Sequence, residues 1–140
     1  GRESAAVRPP DELTGPKATV AWKLDSDLPY VCTPITIDEY LYILSDAGVM
    51  TCVIAATGEK IWQEDLNRDF YASPVCVNGR IYLLSRDGEV IVLEAGSKCT
   101  VLARSTLGEK SDATPAIANG RMYIRTLNHL ICIGDAKAEN

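Results

Sequence analysis

The stretch Asn78-Gly79-Arg80-Ile81-Tyr82-Leu83-Leu84-Ser85, continued by Arg86-Asp87-Gly88 and Glu89-Val90-Ile91-Val92-Leu93-Glu94, decides how this chain folds. Two short apolar runs of strand formers each follow a tight-turn dipeptide, Asn78-Gly79 and Asp87-Gly88, the strongest short-range hairpin signals. The phrase recurs. Tyr40-Leu41-Tyr42-Ile43-Leu44-Ser45 stands forty residues earlier, and Arg121-Met122-Tyr123-Ile124-Arg125-Thr126 follows at nearly the same spacing. Thr33-Pro34, Ser73-Pro74 and Thr114-Pro115 keep that period, as do Trp22 and Trp62, with Leu102 at the next equivalent place. A period of this length, built only of short strands, predicts an all-β chain of propeller blades, each a four-stranded antiparallel sheet. A blade cannot bury both of its faces alone, so its function depends on how the ring is completed.

Residues 1–17 are polar and rich in proline and glycine (Pro9, Pro10, Gly15, Pro16), and they are expected to form a flexible tail or linker. The propeller repeats are expected over 18–134: a strand at 18–24, units at about 30–64 and 71–104, and a third unit at 112–134 that stops after three strands. Residues 135–140 read as a C-terminal tail. This predicts twelve strands, the content of three blades, whereas propeller rings have four or more. Two completions follow. The chain is the terminal piece of a longer propeller, or two copies share a six-bladed ring as a homodimer, the Trp22 strand of each pairing with the Ile131 strand of its partner.

Composition narrows the function classes. With 46% hydrophobic and 24% charged residues the chain is globular. Its apolar runs are strand-sized, which excludes membrane insertion by a helix. A net charge of −5 with scattered basic residues argues against a nucleic-acid partner. The five cysteines show no metal-ligand spacing. Cys52 and Cys132 share a repeat position with Val92, which marks a small apolar slot, and Cys99, after the Gly96-Ser97 turn, is the expected exposed thiol. Ser45, Ser85 and Thr126 recur at one place, as do Thr33, Ser73 and Thr114. A nucleophile is needed once, so hydroxyls repeated in every unit read as structural hydrogen bonders. The single histidine, His129, lies in a strand-start turn and reads as a surface residue.

Cys52-Val53-Ile54-Ala55-Ala56-Thr57-Gly58-Glu59-Lys60-Ile61-Trp62 resembles the tryptophan-docking motif of PQQ-like (pyrroloquinoline-quinone-type) propeller repeats, in which a Thr-Gly turn precedes a tryptophan. Thr57, Gly58 and Trp62 match that pattern, and Trp22 repeats the tryptophan one unit earlier. Cys52 and Ile54 depart from the small and acidic residues of the motif. Asp87-Gly88-Glu89-Val90-Ile91-Val92-Leu93-Glu94 resembles the family's inner strand. The resemblance covers roughly 18–134 and implies that the indoles pack between adjacent blades. It also implies a periplasmic or otherwise exported location.

Catalytic members of that family need an aspartate base, a calcium or lanthanide site and a quinone cofactor. No such constellation is legible here, so no catalytic, cofactor-binding or metal residues are expected. The expected function is a non-catalytic protein-interaction scaffold. The alternative is the terminal fragment of a PQQ-dependent quinoprotein oxidoreductase, or of another large propeller enzyme, with its active site outside these residues. The loop Arg68-Asp69-Phe70-Tyr71 sets two aromatics beside charges, a composition suited to a protein partner. The alternative, and the more ordinary use of such aromatics, is that Phe70 and Tyr71 cover the joint between blades.

Overall fold

The computed structural model describes residues 3–10 and 17–134. The strands are β1 (Ser4–Arg8), β2 (Thr19–Leu24), β3 (Ile35–Ile37), β4 (Tyr40–Leu44), β5 (Val49–Ile54), β6 (Lys60–Asp65), β7 (Val75–Val77), β8 (Arg80–Leu84), β9 (Glu89–Glu94), β10 (Thr100–Thr106), β11 (Ala116–Ala118), β12 (Arg121–Arg125) and β13 (Leu130–Ile133). They form a β1–β2 pair, two four-stranded antiparallel meanders (β3 to β6 and β7 to β10) and a three-stranded meander, β11 to β13. The fold is that of successive propeller blades. Among the described residues no helix is long and apolar enough to cross a membrane.

The turns explain the meanders. Asp38, Asn78 and Asn119, at the tips between the first two strands of each sheet, hold left-handed φ of 52°, 49° and 52°. Aspartate and asparagine tolerate that conformation better than other side-chain-bearing residues. The next hairpin is tied by the repeated hydroxyl. Ser45 Oγ accepts from Val49 N at 3.0 Å, Ser85 Oγ from Glu89 N at 2.9 Å and Thr126 Oγ1 from His129 N at 3.2 Å. The second set works between sheets: Thr33 N donates to Ser73 Oγ, and Ser73 N to Thr114 Oγ1, both at 2.9 Å. Both sets are structural, as their recurrence predicts.

Two findings change the expected layout. Residues 4–8, expected within a flexible tail, pair with β2 as β1. The rest of the expected tail (1–2 and 11–16) and residues 135–140 lie outside the described residues. The β1–β2 register sets Ala6 opposite Trp22 and slips between Ala6 and Val7, just as Cys52 faces Trp62 and the β5–β6 register slips beyond it. The first pair therefore corresponds to strands three and four of a blade. The inner edge of β2, which the expected homodimer gives to the partner's Ile131 strand, is occupied by β1. Second, Val92 faces Ala103, and the slip leaves Leu102 in the bulge. The residue equivalent to Trp62 is Ala103, because the β9–β10 turn is one residue longer than the β5–β6 turn.

The core lies between the two complete sheets, where Tyr42, Leu44, Met50 and Cys52 meet Ile81, Leu83, Ile91 and Leu93. The packing between the second and third sheets is sparser, resting on Ala72, Leu84 and Ile124.

Candidate interaction surface

The two indoles mark the joints between sheets. Trp22 Nε1 donates to Ala55 O at 2.9 Å, and its ring lies on Gly58, where an added Cβ would come within 2.6 Å of Cδ2. Gly58 can lie that close because it has no side chain and adopts a φ of +75°. The turn itself is closed by Gly58 N donating to Ile54 O at 2.8 Å, and Glu59 N reaches Thr57 Oγ1 at 3.3 Å. Trp62 reaches forward to the next sheet, donating from Nε1 to Gly96 O at 3.0 Å, with its ring 6.0 Å from that of Tyr42. The Tyr42 hydroxyl accepts from Gly96 N at 2.7 Å, and burial pushes its phenol up to about 12.

A second kind of joint crosses one end of the sheets. The segment leaving β6 passes over the β4–β5 turn, with Leu66 N on Gly48 O at 3.0 Å and Phe70 N on Asp46 O at 2.9 Å. It then meets the next sheet, where Arg86 N donates to Asp69 O at 2.8 Å. The segment leaving β10 repeats this: Leu107 N on Gly88 O at 2.8 Å, Ser111 N on Arg86 O at 3.2 Å, and Leu127 N on Lys110 O at 3.0 Å. Arg68 and Glu109 occupy equivalent places, each carbonyl lying over Gly48 or Gly88 respectively. Each side chain reaches the following hairpin with opposite charge. Arg68 Nε lies 2.9 Å from Glu89 Oε2 and 3.3 Å from Asp87 Oδ2, an ion pair without hydrogen-bond alignment. Glu109 accepts from the Thr126 hydroxyl and from Asn128 N at 3.1 Å, and lies 3.0 Å from His129 Nδ1.

These contacts hold the Glu109 carboxyl at about 2 against an ordinary 4.5, with the Thr126 hydroxyl the largest cause and His129 the next. A carboxylate depressed on folding contributes stability above pH 4.5 and loses it as pH falls towards 2. Glu109→Gln is therefore expected to melt below the parent chain at pH 7, with the gap closing between pH 4.5 and pH 2. Thermal melts across that range check this. A gap independent of pH would contradict it.

The expected partner loop is divided. Phe70 is fully buried, so it covers the joint and is not offered at the surface. Tyr71 is 38% exposed, with the Arg86 guanidinium 3.9 Å from its ring centre. Arg86 in turn grips Asp112, at 2.7 Å from Nε and 3.4 Å from an outer nitrogen. Arg68 and Asp69 line a shallow cleft of about 370 Å³ with Asp65, Asn67 and Asp87. Asp69 continues into a second cleft with Arg86, Lys110 and Asp112. The result is a charged rim on a rigid end of the sheets. Arg86 and Asp112, which sequence reasoning missed, are part of it; Arg86 stood in the turn Arg86-Asp87-Gly88 and gave no sign of reaching Tyr71.

Other chemistry is absorbed by structure. Burial pushes the thiols of Cys32 and Cys52 up to about 11, and raises those of Cys76 and Cys99. Cys99, expected to be exposed, is partly buried against the main core, whereas Cys132 is exposed. Cys132 shares its repeat slot with buried Cys52, but its face of the third sheet has no neighbour among the described residues. Within those residues, no three His, Cys, Asp or Glu side chains are grouped to hold a metal ion.

A family model described as outer membrane protein assembly factor BamB matches residues 17–98 and 46–140. Outer membrane protein assembly factor BamB of Yersinia pestis is 26% identical over 94 residues, covering 66% of this chain and 23% of the relative. The dehydrogenase subunit of a quinone alcohol dehydrogenase from Gluconacetobacter polyoxogenes is 30% identical over 128 residues, covering 75% and 17%. The crystal structure of BamB from Moraxella catarrhalis superposes with a TM-score of 0.69 at 14% identity, over 82% of this chain and 36% of that one. A quinohemoprotein alcohol dehydrogenase of Pseudomonas putida HK5 gives 0.60 at 20% identity, over 72% and 17%. The structural likenesses speak for the fold alone. The chain spans less than a third of the length of these curated relatives.

Proposed function

Because this chain belongs to the family described as outer membrane protein assembly factor BamB, and is a PQQ-like propeller repeat protein, we propose that it serves as a non-catalytic interaction scaffold in an exported, cell-envelope setting. In this reading Trp22 and Trp62, seated on the Thr57-Gly58 and Gly96 turns, dock neighbouring blades. The charged rim then presents Arg68, Asp69, Tyr71 and Arg86 to a protein partner, with the remaining blades of a longer propeller supplying the rest of the ring.

One observation carries the proposal. The loop that sequence reasoning singled out is anchored at its two central residues, by Phe70 in the core and by Asp69 O on Arg86 N, while its Tyr71–Arg86–Asp112 chain stays at the surface. Recognition on a rigid loop costs little ordering entropy on binding. A photo-reactive residue at position 71 or 69 is expected to cross-link a discrete envelope protein. One at Lys98, an exposed residue in the β9–β10 turn away from both clefts and the third sheet, is not. Equal labelling from all three positions would count against the rim.

The 30% identity to a quinone alcohol dehydrogenase subunit favours a second reading, in which the chain is part of a PQQ-dependent oxidoreductase whose reacting groups lie in other blades. Added PQQ with calcium is expected to leave the absorbance spectrum and melting temperature unchanged. A shift in either would favour the enzyme.

A further inference from the structure

The two junctions between successive sheets use equivalent positions but are filled differently. On the first complete sheet, the face towards the second carries Tyr42, Met50 and Trp62; strand register makes Tyr82, Val90 and Ala103 their equivalents on the second sheet. Tyr42 and Met50 are fully buried, and Trp62 lies beside Tyr42. One junction later, a thioether has become an isopropyl group and an indole has become a methyl. A groove of about 640 Å³ opens between the second and third sheets, lined by Tyr82, Val90, Met122 and Ile133 together with Arg80 and Arg121. That size suits a bound side chain or small ligand. Among the described residues no carboxylate pairs with either guanidinium.

We propose that this groove receives an aromatic side chain from an acidic peptide segment of a partner protein, seated against Tyr82 as Trp62 is seated against Tyr42 in the preceding junction. The aromatic shape follows from the filled junction, where an indole and a tyrosine meet in the equivalent space. The acidic flanks follow from Arg80 and Arg121, two cations that line an apolar slot and have no carboxylate partner among the described residues, which favour carboxylates beside the inserted ring. The groove shares no residue with the charged rim, so this site and the rim can fail independently.

Isothermal titration of the full 140-residue chain with blocked tripeptides tests the proposal. Tryptophan between two aspartates is expected to bind at least about tenfold more tightly than tryptophan between two lysines or alanine between two aspartates, the range that one buried aromatic and a charge pair supply. Ala103→Trp, which restores the indole beside Tyr82, is expected to weaken the acidic peptide by about tenfold or more. Val90→Met, a residue the preceding junction already accommodates, should do the same if the tryptophan variant fails to fold. Arg80→Ala with Arg121→Ala should erase the preference for aspartate over lysine. No binding of the acidic peptide, or equal binding by the parent and a folded groove-filling variant, would overturn the proposal.

Discussion

Gly88→Ala is expected to cost about 2–5 kcal/mol of stability, and Gly48→Ala about the same, from left-handed backbone strain and forced displacement of a packed segment together. Both glycines sit at left-handed φ, +87° and +91°. A Cβ on Gly88 would lie 2.0 Å from Glu109 O, and one on Gly48 2.1 Å from Arg68 O. The obstacle in each case is main chain, which cannot swing aside as a side chain can. The crossing segment would have to lift, taking with it the Leu107 N to Gly88 O bond, or the Leu66 N to Gly48 O bond, and the charged contact beyond. Gly79 supplies the control. Its φ is +72° but an added Cβ meets nothing within 4 Å, so Gly79→Ala should cost only about 1–2 kcal/mol for the backbone conformation. Urea denaturation of the three variants measures the difference. If Gly88→Ala and Gly79→Ala lost equal stability, the crossing segment would not be packed as described.

Trp62→Ala is the other large loss, expected at about 3 kcal/mol, the lower end for truncating a large aromatic, because Trp62 is only partly buried. Removing the indole leaves the fully buried Tyr42 without its ring neighbour and strips Gly96 O of a donor. Trp62→Phe keeps an aromatic surface and loses the N–H, so it should cost about 1 kcal/mol from the hydrogen bond. Stability curves with near-ultraviolet circular dichroism separate the two variants. A loss below about 1 kcal/mol for the alanine variant would mean that the indole adds little beyond a surface contact.

The repeat made much of this structure legible. Period, turn dipeptides and alternating apolar runs give the meanders, because hairpin geometry and side-chain alternation are local properties of strands. Recurrence also separated Ser45, Ser85 and Thr126 from nucleophiles, and each does tie a hairpin. Three features escaped. Ser4–Arg8 is short, and its strand identity comes from pairing with β2, across a connection that no local pattern announces. Ala103 stands where a forty-residue count places Leu102, because one extra turn residue moves the register. Asn67, Arg68, Asp69, Phe70 and Tyr71 have one composition but several fates: Phe70 enters the core while Tyr71 stacks under Arg86, a residue of the next sheet.

By itself, the sequence determined the all-β class, the blade-sized period and the turns, since these depend on backbone preferences and on contacts a few residues apart. Tertiary structure alone decided which indole meets which turn, which equivalent position lost its tryptophan, and which loop side chains remain at the surface. Those outcomes turn on contacts between residues about fifteen to thirty-five positions apart, where a one-residue change in a turn changes which residue meets the next sheet.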